Sequence, residues 1–366
     1  MKVIPPIDIT PARLVSTTVT EPTAQAAWVS GNAYVAGSRV SRATTNNVYR
    51  CIKDTITQTS SILPEVSVNS SDPNWISEGP PVWASGTYTT GQQVVRTTTN
   101  RVYQCLINTG PVSSTPPENL LGGSTVYWFD AGPSNKYAMF DLLRNSSTKA
   151  TGTGNTMTVI LQPGQRVDSI AFVGMKRVVT VRVTVATNAI DAPIYDSGTI
   201  TLSTSDATNW YQYFFSPITY KNSTVLFNLP PTATPYVTIT LTGSNIECGG
   251  VALGLKEDIG ILQRGATNDV INFSKVDRDV FGNATLIQRR NVPKTSQTLL
   301  LPAANLDSVR RLRDSLNGTT AVWVGLDDLP DQYYFESLLI VGFYKQFSIS
   351  IDNPAYVTVS LELEEV

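Results

Sequence analysis

The residues of this chain with the clearest chemical potential are aromatic. Tryptophan and tyrosine rings can stack on the apolar C–H face of a pyranose ring, and they can equally form a core, where each buries about 150–250 Å². Eight of them fall at regular intervals within residues 28–128: Trp28, Tyr34, Tyr49, Trp75, Trp83, Tyr88, Tyr103 and Trp128. We therefore take these eight as the candidate ligand-binding residues.

The aromatics belong to a tandem repeat. The first four recur in the same order as the last four, and Cys51 recurs as Cys105 at nearly the same offset. In each copy an asparagine turn, Asn46-Asn47 or Asn100-Arg101, lies between two apolar segments. The repeated residues keep a nearly constant offset while the residues between them differ, which indicates a duplicated module. Two apolar segments across a tight turn predict a β-hairpin in each copy.

The size of the module limits what its aromatics can do. With about 50 residues per copy, most of the aromatic area is needed as core before any ring is free to bind a ligand. Tyr34 and Tyr88 adjoin turns and are the predicted exposed pair. We place the modules at 28–78 and 82–130. The linker Gly79-Pro80-Pro81 is short and stiff, which predicts a fixed relative orientation.

The repeat resembles the small carbohydrate-binding modules of chitinases and cellulases, of the chitin-binding type-3 kind, which also occur on phage tail proteins. The resemblance covers about 100 residues and rests on the order Trp, Tyr, Gly, Val, Tyr, Pro, Trp in both copies. It implies binding of polysaccharide. One position departs from the family: where sugar-binding members carry an exposed aromatic pair, this chain has Cys51 to Asp54 and Cys105 to Asn108.

Composition excludes several classes of function. The chain has 366 residues, 15% of them charged, a net charge of −2 and no histidine. Without imidazole, Ser-His-Asp and Cys-His nucleophiles and the usual zinc sites are not available. The sequence has no cluster of basic residues of the kind that binds nucleic acid. It also has no apolar run of about 18 residues, the length that would predict a membrane-spanning helix. We expect no enzyme activity, no cofactor and no metal.

Carboxylates are the remaining catalytic candidates. Asp327, Asp328 and Asp331 share one loop. They could act as acid and base in glycoside cleavage or hold calcium. A solvated polar turn between strands is the simpler interpretation, since no EF-hand spacing accompanies them.

The many Ser, Thr, Asn, Gly and Pro residues predict an all-β chain of several domains. Residues 1–27 carry four prolines and predict an extended N-terminal arm that docks on its own body or on a neighbouring subunit, or stays mobile. The opening Met1-Lys2-Val3-Ile4-Pro5-Pro6 lacks the apolar region of a signal peptide. The odd number of cysteines, three, predicts small buried strand residues in the modules in preference to a disulfide.

Residues 135–255 contain eight candidate strands, whose spacing predicts a two-sheet sandwich, specifically a jelly roll. The candidates are Thr156–Leu161, Ser169–Val173, Val178–Val185, Gly198–Leu202, Tyr211–Phe215, Thr224–Leu229, Tyr236–Leu241 and Val251–Leu255. The segments Asn135–Asp141, Asp168–Phe172 and Tyr195-Asp196 resemble landmarks of galactose-binding-like jelly rolls, including those of tail proteins.

Residues 256–366 contain the one convincing helix, capped by Asn305 or Asp307 and ended by Asn317-Gly318. Its apolar face is Leu306, Val309, Leu312 and Leu316, and Arg310, Arg311 and Arg313 form a solvated face. The surrounding strands are predicted at Thr298–Leu301, Ala321–Leu326, Leu338–Phe343, Phe347–Ile351 and Tyr356–Leu363. The segments Asp277–Asn283 and Gly342–Phe347 resemble C-terminal domains of phage and prophage tail proteins.

These resemblances together imply a structural protein of a phage tail or tail-like particle, in a baseplate, fibre or collar. It would be virion-located and homo-oligomeric, would dock to other virion proteins, and would use its modules to adhere to a host cell-surface glycan. The alternatives are a polysaccharide-degrading enzyme with targeting modules and a free secreted carbohydrate-binding protein.

Overall fold

The computed structural model describes the chain except residues 21–24, 43, 46, 54–62, 69, 71–72, 144–145, 151–154, 189–190, 205–208, 216–218, 279–280, 327–334 and 352. Strands account for 47% of the residues and helices for 10%, and the strands form several separate sheets. The prediction of an all-β, multi-domain chain is therefore confirmed.

The described strands follow one another as β1 (Lys2–Ile4), β2 (Leu14–Thr17), β3 (Arg39–Arg42), β4 (Asn47–Cys51), β5 (Trp75–Gly79), β6 (Gln93–Arg96), β7 (Arg101–Cys105), β8 (Trp128–Pro133), β9 (Thr148–Lys149), β10 (Thr156–Leu161), β11 (Ser169–Val173), β12 (Lys176–Ala186), β13 (Tyr195–Asp196), β14 (Ile200–Thr201), β15 (Ser203–Thr204), β16 (Thr219–Tyr220), β17 (Thr224–Phe227), β18 (Tyr236–Cys248), β19 (Gly250–Gly254), β20 (Glu257–Asp258), β21 (Ile261–Leu262), β22 (Thr267–Asn272), β23 (Lys275–Arg278), β24 (Ala284–Ile287), β25 (Asn291–Pro302), β26 (Ala321–Val324), β27 (Leu339–Ser350) and β28 (Tyr356–Glu365). The described α-helices are α1 (Pro64–Ser67), α2 (Trp210–Phe215) and α3 (Leu306–Ser315).

Each repeat folds as a three-stranded antiparallel sheet. The strand order is β3-β4-β5 in the first module and β6-β7-β8 in the second. Both sheets have a register shift at the same place, between Val48 and Tyr49 and between Val102 and Tyr103. The hairpin predicted in each copy is thus present, with a third strand added on the far side of β4 or β7.

A two-sheet sandwich follows the modules. The larger sheet has the order β13-β12-β18-β10-β2, with β14 beside β12 and β9 beside β18, and the smaller has the order β17-β11-β19. Alternate residues of β10, β12 and β18 point inward and share one buried core with Ile170, Phe172, Val251 and Leu253 of the smaller sheet. This alternation is the period-2 pattern that the sequence shows in these segments.

The last domain is a β-barrel. Its strand order is β20-β1-β26-β27-β28-β25-β21, and only Ile259-Gly260 separates β20 from β21, so the order closes on itself. At this bend Gly260 has φ +121°, and a Cβ there would lie 2.8 Å from the Leu300 carbonyl oxygen, which requires glycine. Helix α3 packs Val309 and Leu316 into the barrel core beside Trp323.

The predicted N-terminal arm, 1–27, is divided between two domains. Strand β1 pairs with β26 and β20 in the barrel, whereas β2 pairs with β10 in the sandwich. This segment therefore docks, in its described part, on the body of its own chain. The two domains also share an apolar contact in which Ile4, Val322 and Val324 pack against Ala171, Val225 and Ala252 of the smaller sheet.

Most predicted strands are present, and β10 and β11 have the predicted bounds. Two predictions were wrong. The segment Tyr211–Phe215 lies in helix α2, and the two predicted strands Leu338–Phe343 and Phe347–Ile351 form one strand, β27, with a register shift between Tyr344 and Gln346. The predicted strand Gly198–Leu202 shortens to β14.

Helix α3 has the predicted bounds and apolar face. Val309 and Leu316 are buried and Gly318 adopts φ +70° just beyond the end. Arg310 and Arg311 are exposed, as predicted, whereas Arg313, predicted on the same solvated face, is half-buried and donates hydrogen bonds to Asp314. The predicted cap is corrected: Asn305 is at the N-cap position, but its side chain makes no capping hydrogen bond, because the chain enters α3 through a 3₁₀ turn.

Candidate functional site

The four innermost aromatics form the cores of the modules. Tyr49 and Trp75 in the first module, and Tyr103 and Trp128 in the second, are only 1–3% exposed. Each pair packs on one valine and one cysteine of the same sheet. Rings this deeply buried have no face left for a ligand. Their placement therefore makes them structural residues of a small domain.

Tyr34 and Tyr88 are half-buried, each with its ring edge-on to the core tryptophan. The centroid distances are 5.1 Å from Tyr34 to Trp75 and 5.3 Å from Tyr88 to Trp128. The Tyr88 hydroxyl accepts a hydrogen bond from the Ala84 amide at 3.0 Å and donates one to the Ala84 carbonyl at 2.8 Å. In the first module the Tyr34 hydroxyl likewise accepts a hydrogen bond from the Val29 amide at 2.8 Å and donates one to the Val29 carbonyl at 3.2 Å. These hydroxyls therefore close a turn.

Trp28 and Trp83 each carry an arginine over the ring. The guanidinium carbon of Arg42 lies 4.8 Å from the centroid of the Trp28 ring, and that of Arg96 lies 4.7 Å from the centroid of the Trp83 ring. Nε and Nη2 of Arg42 each donate a hydrogen bond to the carboxylate of Glu65, and the same two atoms of Arg96 donate to the carboxylate of Glu118. This stack of tryptophan, arginine and glutamate is a clamp in each module. Trp28 and Trp83 are half-buried, and both also pack against the core of their own module.

The carboxylates of the clamps remain ionised to low pH. The hydrogen bond from Arg42 lowers the pKa of Glu65 despite its partial burial. Burial raises the pKa of Glu118, but the bond from Arg96 and a backbone hydrogen bond outweigh it, so the net shift is also downward. The hydrogen bond with Glu65 raises the pKa of Arg42. The charge pairs that hold Trp28 and Trp83 therefore persist across the neutral range.

One group of interacting charged residues in the first module is replaced as a whole by uncharged residues in the second. In the first module Glu78 binds Arg39 at 2.6 Å and Arg50 at 2.7 Å. At the equivalent positions of the strand register, the second module carries no charge and has Gln93, Gln104 and Ala131. Since a buried charge that loses its partner is costly, replacing the whole set preserves the fold.

A buried thiol begins the segment at which the carbohydrate-binding modules that the repeat resembles carry an exposed aromatic pair. The Cys105 Sγ lies 3.1 Å from the Ile107 carbonyl oxygen, and Cys51 makes the equivalent contact. The two module cysteines are buried and form no disulfide, as predicted, and the same holds for Cys248. Leu106 and Ile107 are exposed. In the second module the surface equivalent to the sugar-stacking pair is therefore aliphatic.

The carboxylate candidates for catalysis or calcium binding cannot be placed in the fold. Asp327, Asp328 and Asp331 lie outside the described residues. Within the part of the chain that the structure describes, no group of three or more Cys, Asp or Glu side chains could hold a metal ion. None of the helices there is long and apolar enough to cross a membrane.

Four exposed aromatic rings lie close together in sequence on α2. Trp210, Tyr211, Phe214 and Phe215 are 68–77% exposed. They form two pairs at i, i+4, with centroids 6.1 Å and 4.9 Å apart. At about 150–250 Å² per ring, they present roughly 400–700 Å². A contiguous apolar patch of that size on a monomer is often functional.

Sequence reasoning missed this surface because aromatic residues favour strands. The signal that could have found it is the spacing. Trp210 and Phe214, like Tyr211 and Phe215, are four residues apart, which puts each pair on one side of a helix.

No protein-family model matches the chain, and no curated protein matches its sequence.

Proposed function

We propose that this protein is a structural component of a phage tail or tail-like particle, which displays the two modules toward a host surface and docks to other virion proteins. The observation that carries the proposal is the place of the modules in the fold. They are inserted between β2 and β9, two strands of one sandwich sheet, which forms its ladder through β10 and β18 without them. Two modules inserted into a sandwich that is complete without them are well suited to display.

Adhesion is the task of the exposed aromatic rings in this proposal. The four exposed rings of α2, and the parts of the half-buried Trp28 and Trp83 that solvent reaches, are the surfaces that could stack on a glycan. Weak sites repeated on an oligomeric particle can hold a cell by avidity, even if each site binds in the millimolar range.

A cryo-EM map of purified particles tests the proposal. We expect this chain in the tail, with residues 28–130 facing outward. Absence of the chain from washed particles contradicts the whole proposal, whereas modules buried between subunits contradict adhesion and leave assembly.

Adsorption of particles to host cells tests adhesion separately. We expect the double variant Trp210→Ala with Phe214→Ala to slow adsorption about ten-fold or more, because the loss per site is multiplied by the number of sites. Ile351→Ala, which removes an exposed apolar side chain elsewhere, is the control and leaves adsorption unchanged. Unchanged adsorption in the double variant removes α2 from the adhesive surface.

A further inference from the structure

A polar cleft lies between the two modules, and we call it the module groove. It is an open cavity of about 390 Å³, within the range of small-molecule sites, about 300–1,000 Å³. One side is formed by the first module, with Thr44 and Asn47, and the other by residues 89–93 of the second. Pro80 of the linker also lines it. The module groove therefore exists only because two modules are present.

Every described residue that lines the module groove is uncharged. Most carry a hydroxyl or an amide, as Thr89, Thr90, Gln92 and Gln93 do. A charged ligand would find no opposite charge there, and burying an unpaired charge is costly. An apolar ligand would leave these polar groups without hydrogen-bond partners. The lining therefore favours a neutral ligand with many hydroxyl groups.

Two amide side chains of the module groove are held by hydrogen bonds within their own module. Asn47 donates one through Nδ2 to the Ser77 hydroxyl at 3.1 Å, and Gln92 Oε1 accepts one from the Thr89 amide at 2.9 Å. Asn47 thus keeps Oδ1 as an acceptor, and Gln92 keeps Nε2 as a donor. A hydroxyl group both donates and accepts, so it can bond to either side chain. Because both side chains are already fixed, little of their rotamer freedom is lost when a ligand binds.

The two copies of the module differ in charge where their residues line the groove. Gln93 takes the strand position that Arg39 has in the first module, and Asn47 takes the position that Arg101 has in the second. Each of these arginines forms an ion pair with a carboxylate of its own module and lies outside the groove. At both positions, the residue that lines the groove is therefore the uncharged one.

The loop of the second module differs from its copy in the same direction. Thr89 and Thr90 stand where the first module has Val35 and Ala36. Hydroxyl groups therefore replace apolar side chains on this side of the groove. The differences between the copies thus converge on one polar, uncharged surface.

We propose that the module groove binds a neutral oligosaccharide through Asn47, Thr89 and Gln92. Pro80 offers an apolar surface to the C–H groups of the sugar. The inference rests on the proposed function, in which the modules meet a host glycan, and it adds where that glycan binds and that it is uncharged. It also explains the duplication, because neither copy forms the site by itself.

Calorimetric titration of the purified full chain tests the proposal. The neutral probes are maltohexaose, cellohexaose and chitohexaose. The charged probe is hyaluronan hexasaccharide, in which alternate sugars carry a carboxylate. At least one neutral probe binds in the millimolar range or more tightly, and hyaluronan binds at least about ten-fold more weakly than that probe.

Single substitutions locate the binding site. Gln92→Ala removes a proposed contact and weakens binding of the neutral probe about five-fold. It also removes the acceptor of the Thr89 amide. Ser38→Ala is therefore the matched control, because the Ser38 hydroxyl accepts a bond from the Val35 amide at 3.2 Å in the first module. Ser38→Ala leaves the affinity within about two-fold of the wild type, whereas Thr89→Val, which installs the residue of the first copy, weakens binding about three-fold.

An insertion of Gly-Gly-Ser-Gly-Gly between Pro80 and Pro81 tests whether both modules are needed. It separates the two sides of the groove and leaves each module intact, which unchanged hydrogen exchange of the Val102 and Tyr103 amides verifies. Binding of the neutral probe falls at least about ten-fold. Unchanged binding would place the site within one module and overturn the proposal.

The proposal is also overturned if no neutral probe binds at about 10 mM, or if Gln92→Ala binds the probe as the wild type does. In the second case the glycan site lies elsewhere, and the adhesive function survives on other surfaces. Failure of the proposed function is a separate result, because it is shown by absence of the chain from washed particles.

Discussion

Removing one hydroxyl distinguishes a structural tyrosine from a ligand-binding one in the second module. In the variant Tyr88→Phe the ring keeps its edge-on contact with Trp128, and only the two hydrogen bonds to Ala84 are lost. Burial also raises the pKa of Tyr88, so the hydroxyl is protonated at neutral pH and donates as well as accepts.

The expected cost follows from the place of these bonds. An intramolecular hydrogen bond contributes about 0.5–1.5 kcal/mol net. Because Ala84 is exposed, water can replace part of both bonds. We therefore expect Tyr88→Phe to destabilise the second module by about 1 kcal/mol, equivalent to a roughly five-fold larger open population.

Hydrogen exchange of the full chain measures this locally. The amides of Val102 and Tyr103 in β7 report the opening of the second module, and their exchange is expected to accelerate about five-fold. Tyr127→Phe is the matched control: Tyr127 packs on the same core, and its hydroxyl bonds to none of the residues that the structure describes. In Tyr127→Phe the exchange rates of these two amides are expected to stay within about two-fold of those in the wild type.

The reasoning is refuted if Tyr88→Phe leaves exchange unchanged while binding to a glycan weakens. The hydroxyl would then belong to a ligand site and not to the turn. Equal acceleration in Tyr88→Phe and Tyr127→Phe would also refute it, since the effect would then not come from the bonds to Ala84.

Three further predictions concern charge, close packing and thiol reactivity. The pKa values of Glu65 and Glu118 are lowered from about 4.5, so the clamps stabilise the fold above that pH and lose this contribution as the pH falls through the lowered pKa. The variant Glu65→Gln lacks the ionised partner at every pH. Its acid unfolding, monitored by hydrogen exchange, is therefore expected to shift to higher pH. Gly342→Ala is expected to destabilise the barrel by about 3 kcal/mol in thermal unfolding, since the new Cβ would lie 1.9 Å from the Glu364 carbonyl oxygen; a normal melting temperature would contradict that packing. Burial raises the pKa of Cys248 to about 12, so mass spectrometry at pH 8 is expected to show no alkylation until the chain unfolds, and labelling of the native protein would disprove its burial.

The parts of the fold that could be predicted are those specified by local pattern. Alternating residues in Thr156–Leu161 predicted the bounds of β10, and apolar residues at steps of three and four located α3. The repeat itself indicated two equivalent modules. In each case the information lies within a few residues of the element that it specifies.

The remainder depends on contacts that are distant in sequence. Nothing near β1 shows that it pairs with β26, or that the barrel closes through the bend at Gly260. The register shift that keeps β27 continuous is imposed by β28. Exposure was equally hidden: every residue of β23 and β24 is exposed in the fold, which their sequence alone does not indicate.

The pairing of β1 with β26 also determines the order in which the chain can fold during synthesis. Lys2 leaves the ribosome before its partner Val324, which follows more than three hundred residues later. At about 5–20 residues per second, β1 waits on the order of 15–60 s, while the modules can fold as soon as they emerge. The barrel is therefore the last domain to form, after the two modules have had time to fold.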